Sequence, residues 1–226
     1  MRKIAPLLGL LCSIALVGCV IRGNNATNPP PSQPKTERAD RTNSAVVPFT
    51  GTGALPERIL PTGILEIGHA NAPIVLFAFT NHSCRYCAEF EQDYLPRLVE
   101  DFIRAGHLRY QVAILKLQKY PSSQLAAAAV LCAAEQRKGL PMHAALFQST
   151  LDRRSILDKA ESLALDTAAF GACLDEESTT LVIDQHQSLA QTLDVEYVPT
   201  FFYNGEKAIG LPAYADMRGR LEALKK

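Results

Sequence analysis

The sequence lacks an excess of charge of either sign, and beyond its first residues it lacks a long apolar run. Lysine and arginine together number 23, and aspartate and glutamate also number 23, in a chain of 226 residues. A chain with this balance has no strongly basic footprint for nucleic acid, so we predict no nucleic-acid partner. No later apolar stretch approaches the roughly 20 residues that a membrane-spanning helix needs, so no second hydrophobic segment is predicted to enter a membrane.

The first residues have the pattern of an export signal. The basic pair Arg2-Lys3 precedes an apolar stretch over residues 4–17, which is too short to form a stable membrane span. That stretch ends in Leu16-Val17-Gly18-Cys19, which resembles the lipobox of bacterial lipoproteins, where the cysteine is lipidated and becomes the new N-terminus. We predict a lipoprotein signal peptide over residues 1–18 and a lipid anchor on Cys19; an ordinary signal peptide that contains a cysteine is the alternative.

The segment after the signal is predicted to be a disordered tether. Residues 19–55 are rich in proline, asparagine, serine and threonine, and such a composition buries too little apolar surface to fold. A flexible coil of this length reaches roughly 30–35 Å. It would hold residues 56–226, which suffice for one domain, clear of the membrane. Val20 stands where some inner-membrane lipoproteins have aspartate, so the resemblance favours the outer membrane.

Two cysteines three residues apart, Cys84 and Cys87, directly follow the apolar run Ile74–Phe79. A continuous apolar run of this length is typical of a buried central strand. A helix that begins at the cysteine pair would direct unpaired N–H groups and a partial positive charge at the first sulfur, and this favours the thiolate. The thiolate is the species that attacks a disulfide, so the motif predicts thiol–disulfide redox chemistry.

Two further cysteines, Cys132 and Cys173, lie in stretches with helical composition. The four cysteines after the N-terminal segment allow three pairings, and Cys84 with Cys87 closes the shortest loop. Cys132 and Cys173 are then predicted to form a structural disulfide; two free buried cysteines are the alternative. Structural zinc requires four ligands at compact spacing, so we predict no metal site, and we expect His82 to be an ordinary surface residue.

Hydrophobic spacing predicts strands at 64–67, 74–79 and 108–114 and a hairpin around Asn204-Gly205. A helix is expected between the second and third strands, with a kink at Pro96. A strand–helix–strand crossover implies a parallel pair, whereas the hairpin is antiparallel.

Successive helical stretches between the third strand and the hairpin form a predicted helical insertion at about 121–176. The predicted fold class is therefore α/β, with a mixed central sheet flanked by helices.

Four segments in this order resemble the DsbA-like thioredoxin-fold family of thiol–disulfide oxidoreductases, over roughly residues 60–225. They are Phe79 to Cys87, Leu131 to Gly139, Met142 to Phe147 and Tyr197 to Gly205. The resemblance implies a thioredoxin fold and an enzyme that needs no cofactor beyond its own redox-active disulfide.

The resemblance also implies a division of labour between the paired cysteines. Cys84 would be the exposed nucleophile and Cys87 the buried resolving thiol. Arg85 and Tyr86, which separate them, would tune the reactivity of the pair. A solvated Arg85 side chain without such an effect is the alternative.

A second part of the expected site is the loop before the hairpin. By resemblance Pro199 is preceded by a cis peptide bond, and the backbone of Val198 pairs with an extended substrate segment. Ala78 departs from relatives that place a buried acid six residues before the nucleophile. Glu66 is a candidate substitute, with a surface or edge role as the alternative, and His143 is expected to be structural.

The predicted function is that of an envelope thiol–disulfide oxidoreductase that oxidises cysteine pairs in exported proteins. Its expected partners are unfolded or cysteine-containing exported proteins, a membrane redox partner and, through its lipid, the membrane itself. A reductase or isomerase for specific envelope clients is the alternative, because the direction depends on how strongly the Cys84 thiolate is stabilised. A non-enzymatic lipoprotein that binds metal or an envelope partner is the third hypothesis.

Overall fold

A computed structural model describes residues 55–225 of the chain. The predicted signal peptide, Cys19 and almost all of the predicted tether lie outside the described residues. No helix among residues 55–225 is both long enough and apolar enough to cross a bilayer.

Six strands form one mixed sheet. In order across the sheet they are β1 (Glu57–Ile59), β2 (Leu65–Ile67), β4 (Leu108–Ile114), β3 (Ile74–Thr80), β5 (Thr200–Tyr203) and β6 (Glu206–Ile209). The β3–β4 pair is parallel and every other neighbouring pair is antiparallel. The predicted mixed sheet is thus confirmed, with the addition of β1, a three-residue strand that the sequence did not predict.

The helix after the cysteine pair, α1, covers residues 85–103. Within it α-helical Arg85–Glu89 and Leu95–Leu98 alternate with π-helical Phe90–Tyr94 and Val99–Ile103. Pro96 lies two residues after the end of the first π-helical turn. A proline lacks the N–H of the helical ladder and its ring collides with the preceding turn, and a widened turn relieves that collision without ending the helix.

The remaining helices are α2 (Ser123–Glu135), α3 (Gly139–Leu146), α4 (Arg153–Ser162), α5 (Thr167–Leu174), α6 (Glu177–Thr192) and α7 (Tyr214–Ala223). Helices α2 to α5 form the predicted helical insertion. The hairpin β5–β6 turns at Asn204 and Gly205, both of which have positive φ, as the two-residue hairpin turn requires.

The two faces of the sheet bury separate clusters. Leu76, Tyr110 and Val112 face the larger cluster, which includes Phe90 of α1 and residues from all the helices of the insertion. The smaller cluster lies on the opposite face, where Phe79 of β3 packs with Ala190 of α6.

Strand register places the predicted site at one end of the sheet. Phe79 of β3 pairs with Thr200 of β5. Because this pair is antiparallel, the end of β3 lies beside the beginning of β5. The loop that leads to Cys84 is therefore adjacent to the loop that contains Pro199.

Candidate active site

Cys84 caps the first turn of α1. Its backbone is extended, and its sulfur accepts a hydrogen bond from the backbone N–H of Cys87 at 3.4 Å. The preceding loop is fixed by Asn81, whose side chain accepts from the N–H of Ser83 at 2.8 Å and donates to the carbonyl of Leu115 at 2.8 Å. An Asx turn of this kind sets the direction in which the chain enters the helix.

Hydrogen bonds from the first helical turn hold the pKa of Cys84 at about 6, compared with an ordinary value of 9. The largest contribution is a bond from the Cys87 thiol, and the backbone N–H groups of Cys87 and Tyr86 add to it, while partial burial opposes them. All three donors stabilise the ionised sulfur. At pH 7 such a group is roughly nine tenths thiolate.

Cys87 has the opposite environment. It is 1% exposed, and burial raises the pKa of its thiol, an effect reinforced by the hydrogen bond to Cys84 and only partly countered by Thr80. Both sulfurs are free thiols. One helical turn therefore carries one cysteine poised to attack and one held in the protonated form.

The loop beside Cys84 carries the cis peptide bond. The bond between Val198 and Pro199 is cis, and the Cys84 thiol donates to the carbonyl oxygen of Val198, with 3.3 Å between sulfur and oxygen. The hydroxyl of Thr200 donates to the carbonyl of Tyr197 at 2.7 Å. Tyr197 is 65% exposed, so this loop presents an aromatic ring to solvent.

Arg85 and Tyr86 both lie on the exposed rim of the site. The Arg85 guanidinium carbon is 5.7 Å from the centre of the Tyr86 ring. The lowered pKa of Cys84 comes from hydrogen bonds of Cys87 and Tyr86, opposed by burial. Arg85 accordingly interacts with its neighbour's ring rather than with the sulfur.

Behind the cysteines a buried chain of polar side chains connects three elements. His82 Nε2 lies 2.9 Å from His143 Nδ1, and His143 Nε2 lies 2.9 Å from Glu91 Oε1. The Tyr110 hydroxyl donates to the same Glu91 oxygen at 3.0 Å. Burial, followed by the proximity of His143, lowers the pKa of His82 well below its ordinary value.

The expectation that His82 is a surface residue is wrong, because its exposed fraction is 7%. The side chain turns inward, where it contacts the rings of His143 and Phe147 as well as the hydrogen-bonded chain. For a histidine between a strand and a cysteine motif, the sequence does not indicate whether the side chain faces solvent or the interior. Only the packing of α3 against this loop supplies its partner.

Glu66 does not lie with the cysteines. Glu66 pairs with Gln111 of β4, which in turn pairs with Phe77 of β3. Paired residues point to the same face of a sheet, so Glu66 lies on the face opposite to Ala78. Glu66 is buried, forms an ion pair with Arg58 and accepts a hydrogen bond from Gln111. A salt bridge from buried Glu66 to Arg58 on the neighbouring edge strand β1 accounts for this residue.

Cys132 of α2 and Cys173 of α5 are joined by a disulfide, with their Cα atoms 5.8 Å apart. The bond connects two helices of the insertion across 41 residues of sequence. Within the described part of the chain, no group of three or more His, Cys, Asp or Glu side chains is arranged to hold a metal ion.

Glu91 and Tyr110 are the site residues that sequence reasoning missed. Tyr110 belongs to the alternating pattern of β4, and Glu91 directly follows the apolar Phe90 in α1. The one available signal was the spacing of Glu91, four residues after Cys87, which puts both side chains on one helix face.

Comparison with known proteins identifies relatives of this chain. A family model described as thioredoxin matches residues 60–223. The chain is 22% identical over 169 residues to disulfide bond formation protein D of Bacillus subtilis, covering 69% of this chain and 74% of that protein. It is 32% identical over 146 residues to the Na(+)/H(+) antiporter NhaA 3 of Salinispora tropica, covering 63% of this chain and 22% of the antiporter. The chain thus spans about a fifth of the length of that antiporter.

Solved structures support the same assignment of the fold. Oxidised BdbD from Bacillus subtilis superposes with a TM-score of 0.64 and 20% sequence identity, over 71% of this chain and 91% of that chain. The α-DsbA1 protein of Wolbachia pipientis superposes with a TM-score of 0.65 and 21% identity, over 76% and 93% of the two chains. The predicted fold class is confirmed, and since the family model matches most of the sequence, the chain belongs to the thioredoxin family.

Proposed function

We propose that this protein is a thiol–disulfide oxidoreductase that introduces disulfides into exported proteins through the pair Cys84–Cys87. The observation that carries the proposal is the contrast within this pair. The pKa of Cys84 is lowered to about 6, whereas burial raises that of Cys87. Stabilising the thiolate stabilises the reduced enzyme, and a stable reduced form makes the oxidised form a strong oxidant.

The geometry supports a two-step exchange. A substrate thiolate attacks the sulfur of Cys84, the more accessible of the two, and Cys87 leaves with the electron pair of the broken disulfide. A second substrate thiolate then attacks the mixed disulfide and releases Cys84 as the thiolate, the form that its helix-capping position stabilises. The substrate departs with a new disulfide, and a membrane redox partner would reoxidise the enzyme.

The loop at Val198 and Pro199 is the proposed substrate-binding element. It contacts the Cys84 sulfur and leads directly into β5. An extended peptide that pairs with the Val198 backbone would align its cysteine with Cys84, and main-chain pairing requires no particular sequence. Such recognition suits unfolded clients of many kinds.

The proposed location is the bacterial envelope. It is supported by the signal-like sequence over residues 1–18 and the lipobox resemblance at Cys19, which would attach the protein to a membrane, the outer one being favoured. Metabolic labelling with a clickable palmitate analogue tests the anchor. We expect label on the wild-type protein and none after Cys19→Ala, and an unlabelled wild-type protein would remove the lipid from the proposal.

Two measurements test the activity and its direction. The oxidised protein should restore activity to a reduced, unfolded ribonuclease, and the Cys84→Ser variant should not. Equilibration with glutathione should give a reduction potential well above that of thioredoxin, about −270 mV. A potential near the thioredoxin value would instead support the reductase, and failure of Cys87→Ala to accumulate mixed disulfides through Cys84 would remove the enzymatic proposal.

A further inference from the structure

We propose that residues 45–49, which precede the described part of the chain, fold back onto the outer edge of β1 and place Phe49 in an apolar pocket between β1, α2 and α6. The domain would thereby hold the last part of its own tether. This inference does not rest on the proposed redox function, because neither the pocket nor the segment contains a residue of the thiol–disulfide exchange.

The pocket beside β1, here called the edge pocket, is largely apolar. Ile59 of β1, Leu131 and Ala134 of α2 and Val182 of α6 contribute to its walls, and its volume is about 280 Å³. Sites for small organic ligands usually have volumes of about 300–1,000 Å³. The edge pocket therefore suits one or two side chains better than a small-molecule substrate.

Apolar surface remains exposed around the edge pocket. Ile59, Leu131 and Val182 are each only half-buried. Leu181 of α6 is 54% exposed, and it lies three positions after the pocket residue Ser178, which puts both side chains on one face of the helix. Partly exposed apolar side chains grouped around a cavity are typical of a binding surface.

The backbone of β1 offers a free edge to the same surface. Among the described residues its only neighbouring strand is β2. The N–H of Gly68 donates to the carbonyl of Pro56 at 2.8 Å, and hydrogen-bonded pairs alternate along an antiparallel ladder. Glu57 and Ile59 therefore direct their N–H and C=O groups away from β2. A free edge of this kind is ready to pair with a further strand.

The described chain begins at this surface. A second cleft, of about 500 Å³, is lined by Leu55, Pro56 and Glu57 and shares Ala134 and Glu135 with the edge pocket. Leu55 is the first described residue, so the chain before it leaves the domain from this cleft. The segment immediately before Leu55 is thus the polypeptide closest to the edge pocket.

That segment has the composition that an apolar pocket and a strand edge require. Residues 42–56 contain no charged residue, whereas residues 35–41 contain five. Phe49 is the only aromatic residue of the predicted tether, and Val46 and Val47 lie shortly before it. Valine and phenylalanine favour extended strands, and an edge strand tolerates the intervening Pro48.

Phe49 is close enough in sequence to reach the edge pocket. Leu55 and Ile59 are four residues apart, or roughly 13 Å along an extended chain. The six residues from Phe49 to Leu55 span at most about 20 Å, which leaves length for a reversal. Gly51 and Gly53 lie in this connection and adopt the backbone conformations of a tight turn without strain. An antiparallel return along β1 is therefore within reach.

Docking of this segment would change how the domain is held. Only residues 19–44 would remain of the predicted tether, and their reach as a coil would be roughly 25–30 Å. The docked segment would also cover the edge of β1, so that the edge is not available to pair with other extended chains.

A single introduced tryptophan tests the docking, because the sequence contains no tryptophan. In the full chain, the indole of Phe49→Trp should be quenched by acrylamide several-fold less than that of Pro34→Trp, a matched control in the proline-rich part of the same tether. Equal quenching of the two indoles would overturn the proposal. Quenching that increases on dilution would place the segment in a second copy of the chain and would also overturn it.

A substitution at the rim of the pocket tests where the segment docks. Leu181→Asp in the Phe49→Trp background should raise quenching towards the control value, because a charged rim disfavours apolar contact. Ile209→Asp is the matched control, since Ile209 is 63% exposed but lies on β6, at the opposite edge of the sheet. Quenching that is unchanged by Leu181→Asp, or is raised equally by both, would overturn the assignment of this pocket.

Hydrogen exchange of the wild-type chain provides a measurement without an introduced ring. If the segment is docked about nine tenths of the time, the amides of Glu57 and Ile59 should exchange about tenfold more slowly than in Phe49→Asp. Phe49 lies outside the described domain, so this variant should keep its fold. Identical exchange over residues 57–59 in the two proteins would overturn the proposed pairing with β1.

Discussion

Removal of the Cys87 side chain should make Cys84 a weaker acid. In the structure the largest contribution to the low pKa of Cys84 is the hydrogen bond from the Cys87 thiol, and the remaining donors belong to the backbone. Cys87→Ala removes the hydrogen bond from the thiol and keeps those from the backbone. Cys87→Ser provides the matched control, because a hydroxyl at the same position still donates to the Cys84 thiolate.

The magnitude follows from the value of a hydrogen bond to a charged group, about 1.5–3 kcal/mol or roughly 1–2 pKa units. Cys84 is partly exposed, and solvent screening favours the lower end of that range. From about 6 in the wild type, the pKa should therefore rise to about 7 in Cys87→Ala. The thiolate fraction at pH 7 would fall from roughly nine tenths to about one half, while Cys87→Ser should stay within a few tenths of a unit of wild type.

The measurement must report Cys84 alone, because the full chain contains other cysteines. Arg85 lies between the paired cysteines, so trypsin releases Cys84 in the peptide 59–85 and Cys87 in the peptide 86–97. Short pulses of iodoacetamide at a series of pH values, followed by mass spectrometry of peptide 59–85, give the titration curve. A Cys87→Ala curve that coincides with the wild type, or a Cys87→Ser curve displaced as far as that of Cys87→Ala, would refute the assigned hydrogen bond.

Three other predictions concern stability and charge. The pKa of Cys84 is about 6 in the folded protein against an ordinary value of 9. The reduced protein should therefore gain stability relative to Cys84→Ser as the pH rises from 6 to 9, and lose that gain as the pH falls through 6. Urea denaturation at several pH values that gives a constant difference in stability between the two proteins would contradict this. The raised pKa of Cys87 costs stability only above pH 9. Replacing Cys132 and Cys173 by alanine should lower the free energy of unfolding by about 3–4 kcal/mol, and an unchanged urea midpoint would contradict a stabilising role for their bond. Arg85→Gln should leave the pKa of Cys84 within a few tenths of a unit, because the guanidinium lies over a ring at the exposed rim. This change removes the tryptic site, so the label in peptide 59–97 must be assigned to Cys84 by fragmentation; a shift of a full unit would assign Arg85 a direct effect.

Local signals in the sequence predicted much of the fold. The alternation over Leu108–Ile114 and the continuous apolar run at Ile74 match two strands of the sheet. Asn204-Gly205 matches the hairpin turn, because these residues tolerate the positive φ that the turn demands. In contrast, β1 and the π-helical turns of α1 carry no periodic pattern, since their formation depends on pairing with β2 and on the proline in the following turn.

The candidate site divides in the same way. The cysteine motif and the loop at Val198 are each a short continuous segment of sequence, so residue type and spacing predict their chemistry. Glu91 and Tyr110 are ordinary members of helix and strand patterns. The hydrogen bond between them exists only because α1 packs against β4.

The sequence by itself determined the reactive pair, because a helix that begins at Cys84 supplies its own N–H donors and needs nothing distant to favour a thiolate. It also determined the kind of fold through the spacing of its apolar residues. The tertiary structure decided which buried polar groups meet behind the cysteine pair. A hydrogen bond between His143 and Glu91 joins residues 52 apart, and such contacts arise from the packing of a helical insertion against a sheet, which spacing along the chain does not encode. The local chemistry of the nucleophile is therefore determined by the sequence, and the buried polar contacts behind it are determined by the fold.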